Sequence, residues 1–147
     1  MKPTSTSAVS APAARKQAIA AYNAMWSDMA AAAETADYQS PRLAEHADSD
    51  ALSQLVRGLY ANKQHGIVVK GDPRTSPEVT SATPAEDPTV VMIRDCLDGT
   101  RWLNYVEQTG KLENDTPGSR HATTATVRRD GSSWKVTDLA VGADGSC

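Results

Sequence analysis

The sequence predicts an α+β fold in which N-terminal helices pack on one face of a strongly curved antiparallel sheet. Apolar residues in the first half recur in steps of three and four, as one stripe of a helix does. The second half changes to short β-branched runs punctuated by Gly, Pro and Asp-Gly turns. The change happens once, near Gly66, and does not revert. Helices followed by strands, rather than strands alternating with helices, give segregated layers and hairpin connections. With 147 residues, the chain has the length of one core. Residues 1–12 are expected to form a flexible polar lead-in and residues 13–147 a single domain.

The first helix is predicted from about Pro12, tolerated in a first turn, to Thr35. Ile19, Tyr22, Trp26, Met29 and Ala33 lie on its apolar stripe. Pro41 interrupts the pattern, and a short helix restarts in "RLAEHA". Ser49 is the expected N-cap of a third helix, with Leu52, Leu55, Val56, Leu59 and Tyr60 on its apolar face and Gly66 as its stop. Then come the strands "GIVVKG", "PEVTSAT", "TVVMIRDC" and "RWLNYVE". The stretch "HATTATVRRDGSSWKVTDLAV" makes a hairpin about Asp130-Gly131.

Composition excludes several classes. Net charge is −3 with interleaved signs, so nothing marks a nucleic-acid surface. No apolar run is long enough to span a bilayer, and "MKPTSTSAVSAPAARK" lacks the apolar stretch of a secretory signal. That lead-in is either a cytosolic start or the stalk left when a signal or lipid-anchor segment is removed. On the second reading, membrane attachment depends on an anchor absent from this sequence. No cofactor motif is present.

Three helices ahead of a highly curved sheet resemble the nuclear transport factor 2-like cone superfamily, also called cystatin-like. "DCLDGTRW", "DTPGSRHATTATVRRDGSSWKV" and the final "GADGSC" resemble a group of small actinobacterial secreted proteins and lipoproteins, most of them without an assigned activity. The resemblance covers about residues 13 to 147 and is densest from Asp95 onward. It implies a pocket between the helices and the concave sheet face. It also implies that open sheet faces pair into dimers.

Cys96 ends a strand and Cys147 ends the chain. If the final strand lies beside the Cys96 strand or near its end, the two sulfurs can meet and staple the sheet edge. The competing reading is two unrelated reduced thiols. A bridge implies an oxidising compartment. Two distant cysteines lack the paired spacing of a zinc site.

Enzymes with this type of cone use a buried Asp or His with a Tyr to move a proton. Tyr22, Trp26, Arg94 and His121 are the candidate ligand-binding residues, and none is assigned a catalytic role. Tyr22 and Trp26 have core packing as their ordinary use. Asp28 falls off the helical stripe, and no acid falls clearly among apolar neighbours. His46 and His65 are expected to face solvent near helix ends. Asp98-Gly99 is expected to be a turn rather than a calcium loop, with Asp95 bonding local amides. Trp134 is expected in the core, Trp102 and Tyr105 in an aromatic contact surface, and Arg128-Arg129 on a solvated hairpin arm. The expected function is an extracytoplasmic accessory or binding domain for an unknown protein or small apolar ligand. The alternatives are a small-molecule isomerase or dehydratase working in the cone, and an assembly unit that forms a homodimer through its sheet.

Overall fold

The computed structural model describes residues 9–147, so the expected lead-in falls mostly outside the described residues. Helix α1 (Ala11–Ala33) starts slightly earlier than its pattern suggests, because Ser10 caps it by accepting the Ala13 amide and Pro12 occupies its first turn. The stripe Tyr22, Trp26, Met29 and Ala33 is buried. A second stripe, Ala14, Ala18, Ala21, Met25, Asp28 and Ala32, is buried as well. The alanines of that stripe let α1 approach the helices and strands around it closely, which leaves it covered on two sides. Helix α2 (Leu43–His46) is one turn after Pro41.

Helix α3 (Ser49–Gln64) is capped by Asp48, not Ser49: the Asp48 carboxylate accepts the Ser49 amide, and its carbonyl accepts the Leu52 amide. Leu55 and Leu59 are buried, whereas Tyr60 stays half exposed against Tyr38, their rings edge-on at 5.1 Å. Gly66 at φ +65° ends the helical half, as a left-handed position after a helix requires.

Six antiparallel strands follow: β1 (Ile67–Gly71), β2 (Glu78–Thr83), β3 (Val90–Asp98), β4 (Trp102–Val106), β5 (Arg120–Asp130) and β6 (Ser133–Val141). They form a four-stranded sheet of order β2-β3-β5-β6 and a two-stranded sheet of β1 and β4. The expected single curved layer is thus split where β3 turns at Gly99 into β4, and it does not close. Helix α1 lies across the inner face of the larger sheet. That face carries Val91, Ile93 and Leu97 of β3, Ala125 and Val127 of β5, and Trp134, Val136 and Leu139 of β6, all in one core cluster.

Strict alternation in "WKVTDLAV" would turn Asp138 inward. A bulge at Thr137 prevents this. Thr126 pairs with Asp138 and Val127 with Val136, so the strand re-phases, Asp138 faces solvent and Leu139 enters the core. The outer backbone of β6 is occupied by the connection before α3, where Ala47 bridges Val136, the Asp48 amide bonds the Val136 carbonyl, and Gln54 reaches the Leu139 carbonyl.

Cys96 and Cys147 form a disulfide, with Cα atoms 5.9 Å apart. Of the two arrangements expected, the final strand does not lie beside the Cys96 strand but ends near that strand's end. β6 pairs with β5, and β5 separates it from β3. The tail therefore crosses β5 beside Ala122, the register partner of Cys96. The Gly142 amide bonds the Ala122 carbonyl, the Gly145 amide bonds the Arg120 carbonyl, and the Ser146 hydroxyl accepts the Ala122 amide. Cys96 shares the outer face with the exposed Met92 and Arg94, so the bridge lies outside the core. Closing a loop across a separation of 51 residues removes denatured-state entropy worth about 4 kcal/mol. Urea unfolding of the oxidised chain against Cys96→Ser/Cys147→Ser is expected to show a loss of about that size, with little change in far-ultraviolet circular dichroism.

Candidate functional site

The split between the sheets forms a half-open cleft of about 400 Å³. Its aromatic part is Trp26 from α1 and Trp102 from β4, edge-to-face with centroids 6.1 Å apart. Leu97 and Leu103 continue the apolar surface, and Leu112, 44% exposed, stands at the rim. His121 of β5, Val141 at the end of β6 and Asp144 beyond it also line the cleft.

Local chemistry fixes these walls. The Asp98 carboxylate takes the Thr100 hydroxyl at 2.6 Å and its amide at 3.0 Å, shaping the β3–β4 turn. Those two bonds, the hydroxyl first, hold the Asp98 carboxyl below its ordinary range. Gly118 lies so close to the Gly99 carbonyl that any side chain there would collide with it, which draws the 116–119 segment against the turn. The His121 Nδ1 lies 2.9 Å from the Gly142 carbonyl, so this nitrogen carries the hydrogen, and Nε2 faces Asp144 at 3.6 Å.

The structure brings two of the four candidate ligand residues, Trp26 and His121, to this cleft. Tyr22 is fully buried in the core and does not reach it. Arg94 is on the outer sheet face, paired with Glu78 at 2.9 Å where both side chains are open to water. Trp102 points at Trp26, while Tyr105 stands on the opposite face of β4 under the Lys70 ammonium, so the expected Trp102–Tyr105 surface does not form. Arg129 is likewise not a solvated arm: it pairs with Asp87 at 3.0 Å and covers the buried Trp134.

Two buried acids escaped the sequence reading. Asp95 accepts the Tyr22 hydroxyl at 2.7 Å and the Ser76 amide at 2.6 Å, the latter 19 residues distant rather than local. Burial, and then the Asp95 carboxylate, push the Tyr22 phenol far above its ordinary value of 10.0. The Trp26 indole N–H pulls weakly the other way, although it makes no hydrogen bond of good geometry. Asp28 accepts Arg42 at 3.0 Å and His46 Nδ1 at 2.7 Å, clamping α2 to α1. His46 is therefore a clamp residue and not merely a solvent-facing ring. Glu45 completes a carboxylate–imidazole group with Asp28 and His46, but both Asp28 oxygens are already engaged, Oδ1 by Arg42 and Oδ2 by His46.

No protein family and no curated protein matches the sequence. Several solved structures share its fold, among them these two. The intermembrane-space region of the chloroplast protein ARC6 superposes with a TM-score of 0.64 at 20% identity, covering 88% of this chain and 97% of its own. A protein of unknown function with a cystatin-like fold, from Nostoc punctiforme PCC 73102, gives 0.54 at 12% identity, covering 95% and 96%. At such identities the likeness establishes the fold, and the α+β, cystatin-like architecture expected from the sequence is the one found.

Tyr22→Phe leaves one buried Asp95 oxygen unpaired and is expected to cost about 1.5–3 kcal/mol in urea unfolding. A raised phenol pKa favours the folded state fully below pH 10.0, the unfolded value, and ever less as pH climbs above it toward the folded one. The alkaline fall in stability of the native chain is therefore expected to flatten in Tyr22→Phe.

Proposed function

We propose that this chain is an extracytoplasmic binding domain without catalytic activity, secreted or held at the cell surface, whose ligand site is the Trp26–Trp102 cleft. The observation that carries the reading is the cleft itself. It has the volume of a small-molecule site, with two edge-to-face indoles flanked by Leu97 and Leu103, and Asn104, Asn114 and His121 bring polar groups to the same lining. A small apolar ligand fits this chemistry. The disulfide supports an oxidising compartment. The outer sheet face, where Met92 is 43% exposed, is the surface through which two copies would pair.

The isomerase or dehydratase alternative draws support from one contact, the Tyr22–Asp95 hydrogen bond. That pair is 0% and 4% exposed, and neither residue lines the cleft. A substrate in the cleft has no proton donor or acceptor of this pair within reach. The dyad serves as a buried clip between α1, β3 and the segment before β2.

The test is fluorescence titration with N-phenyl-1-naphthylamine, a neutral apolar probe. Saturable, blue-shifted binding to the native chain is expected, weakened about tenfold by Leu112→Asp, which places charge on an exposed rim position at little cost to folding. Absence of saturable binding, or equal affinity in the variant, removes the cleft as the site.

A further inference from the structure

The charges around the cleft share one sign. Among the described residues, its lining holds a single carboxylate, that of Asp144, and neither lysine nor arginine. The rim segment 112–119 adds Glu113 and Asp115 and no base. Of the bases nearest in sequence, Arg120 is turned to the outer sheet face, where it pairs with Asp98 at 3.6 Å. Arg101 and Lys111 stay out of the lining. The neutral groups point the same way. His121 donates through Nδ1 to the Gly142 carbonyl, so Nε2 of the neutral ring is an acceptor. It faces a second acceptor, Asp144 Oδ1, at 3.6 Å. Two acceptors side by side repel one another unless a donor joins them. The same cleft holds Trp26 and Trp102, and indole faces carry negative potential that attracts cations.

We propose that the cleft's ligand is a small organic cation, an apolar body carrying a primary ammonium. The body covers Trp26, Trp102, Leu97 and Leu103, and the ammonium donates to Asp144 Oδ1 and His121 Nε2. Side-chain exposure is 84% at Asp144 and 22% at His121. The cation therefore keeps part of its hydration at the rim while the body it carries leaves water. An anion meets a carboxylate, two further acids at the rim and two indoles, and the lining offers no base to offset them. A bare metal ion finds one carboxylate and one imidazole, short of the set that a zinc site uses. In water, opposite charges about 4 Å apart gain enough to raise affinity about fivefold. The exposure of Asp144 makes that aqueous figure the appropriate one.

The cation rests on the cleft being the ligand site, and the experiment separates the two. Three probes sharing a naphthalene body, 1-naphthylmethylamine, 1-naphthalenemethanol and 1-naphthoate, are titrated by calorimetry at low ionic strength. Each is added to the native chain, to Asp144→Asn and to Glu86→Gln. Asp144 is exposed, so its substitution leaves the fold intact. Glu86, exposed in the turn before β3, is at the other end of that strand from Gly99, and its loss changes the net charge equally. The amine is expected to bind about fivefold tighter than the alcohol, with the naphthoate weakest. Asp144→Asn is expected to remove most of that preference without changing the alcohol's affinity, and Glu86→Gln to leave it. Added salt is expected to shrink it. Equal affinity for amine and alcohol, or tightest binding of the naphthoate, overturns the cation and leaves the cleft standing. So does a preference that survives Asp144→Asn, or one that falls as far in Glu86→Gln. Saturable binding by none of the three probes overturns the cleft, and the cation with it.

Discussion

Helix α1 is the element against which everything else is placed, and its constraint is steric. It is buried along two stripes, and the second stripe is mostly alanine. Small side chains let strands and helices approach its axis closely on both sides. Tyr22, Met25, Trp26 and Met29 supply the bulk on its buried surface. A chain without phenylalanine assembles its core in this way, with aliphatic strands against a helix rich in alanine and a few large side chains between them.

The two acids buried by this arrangement are both paired, whereas the buried Trp26 and Trp102 indole N–H groups have no partner among the described residues. Asp95 and Asp28 each meet two partners from other segments, and each joins α1 to something that would otherwise only rest on it. Removing one partner from such a group costs more than the bond contributes, so these clips act as specificity devices as much as sources of stability. They fix the rotation of α1 about its own axis. That rotation determines whether Trp26 faces the gap between the two sheets, and so whether a cleft exists there.

Much of the fold is legible in the sequence because it is written in local periods. Three helices, six strands and the Asp130-Gly131 hairpin follow from spacing and turn chemistry. The two cysteines announce their own pairing by their positions. Legibility ends where tertiary contact overrides the local pattern. Asp28 is hidden because its stripe is alanine-rich and carries little hydropathy contrast. Asp95 sits in perfect alternation between Ile93 and Leu97, a signal that was present and that marks it as inward-facing. Its partner Ser76 lies in a loop that no period describes. The separation of β4 from the main sheet, which makes the cleft, depends on the turn at Gly99, and the sequence marks that turn without giving its direction. Trp26 and His121 are therefore readable as candidates, while Leu112 and Asp144 enter the site only through loop paths.

The occupied outer backbone of β6 has a consequence for association. A sheet grows by offering unpaired amides and carbonyls at its rim, and on this side the Val136 and Leu139 carbonyls are already taken, by the Asp48 amide and by Gln54 of α3. Fibril-like stacking through the last strand would first require the third helix to be peeled away. The hairpin that ends the chain is thereby sheltered from runaway polymerisation by an element made long before it.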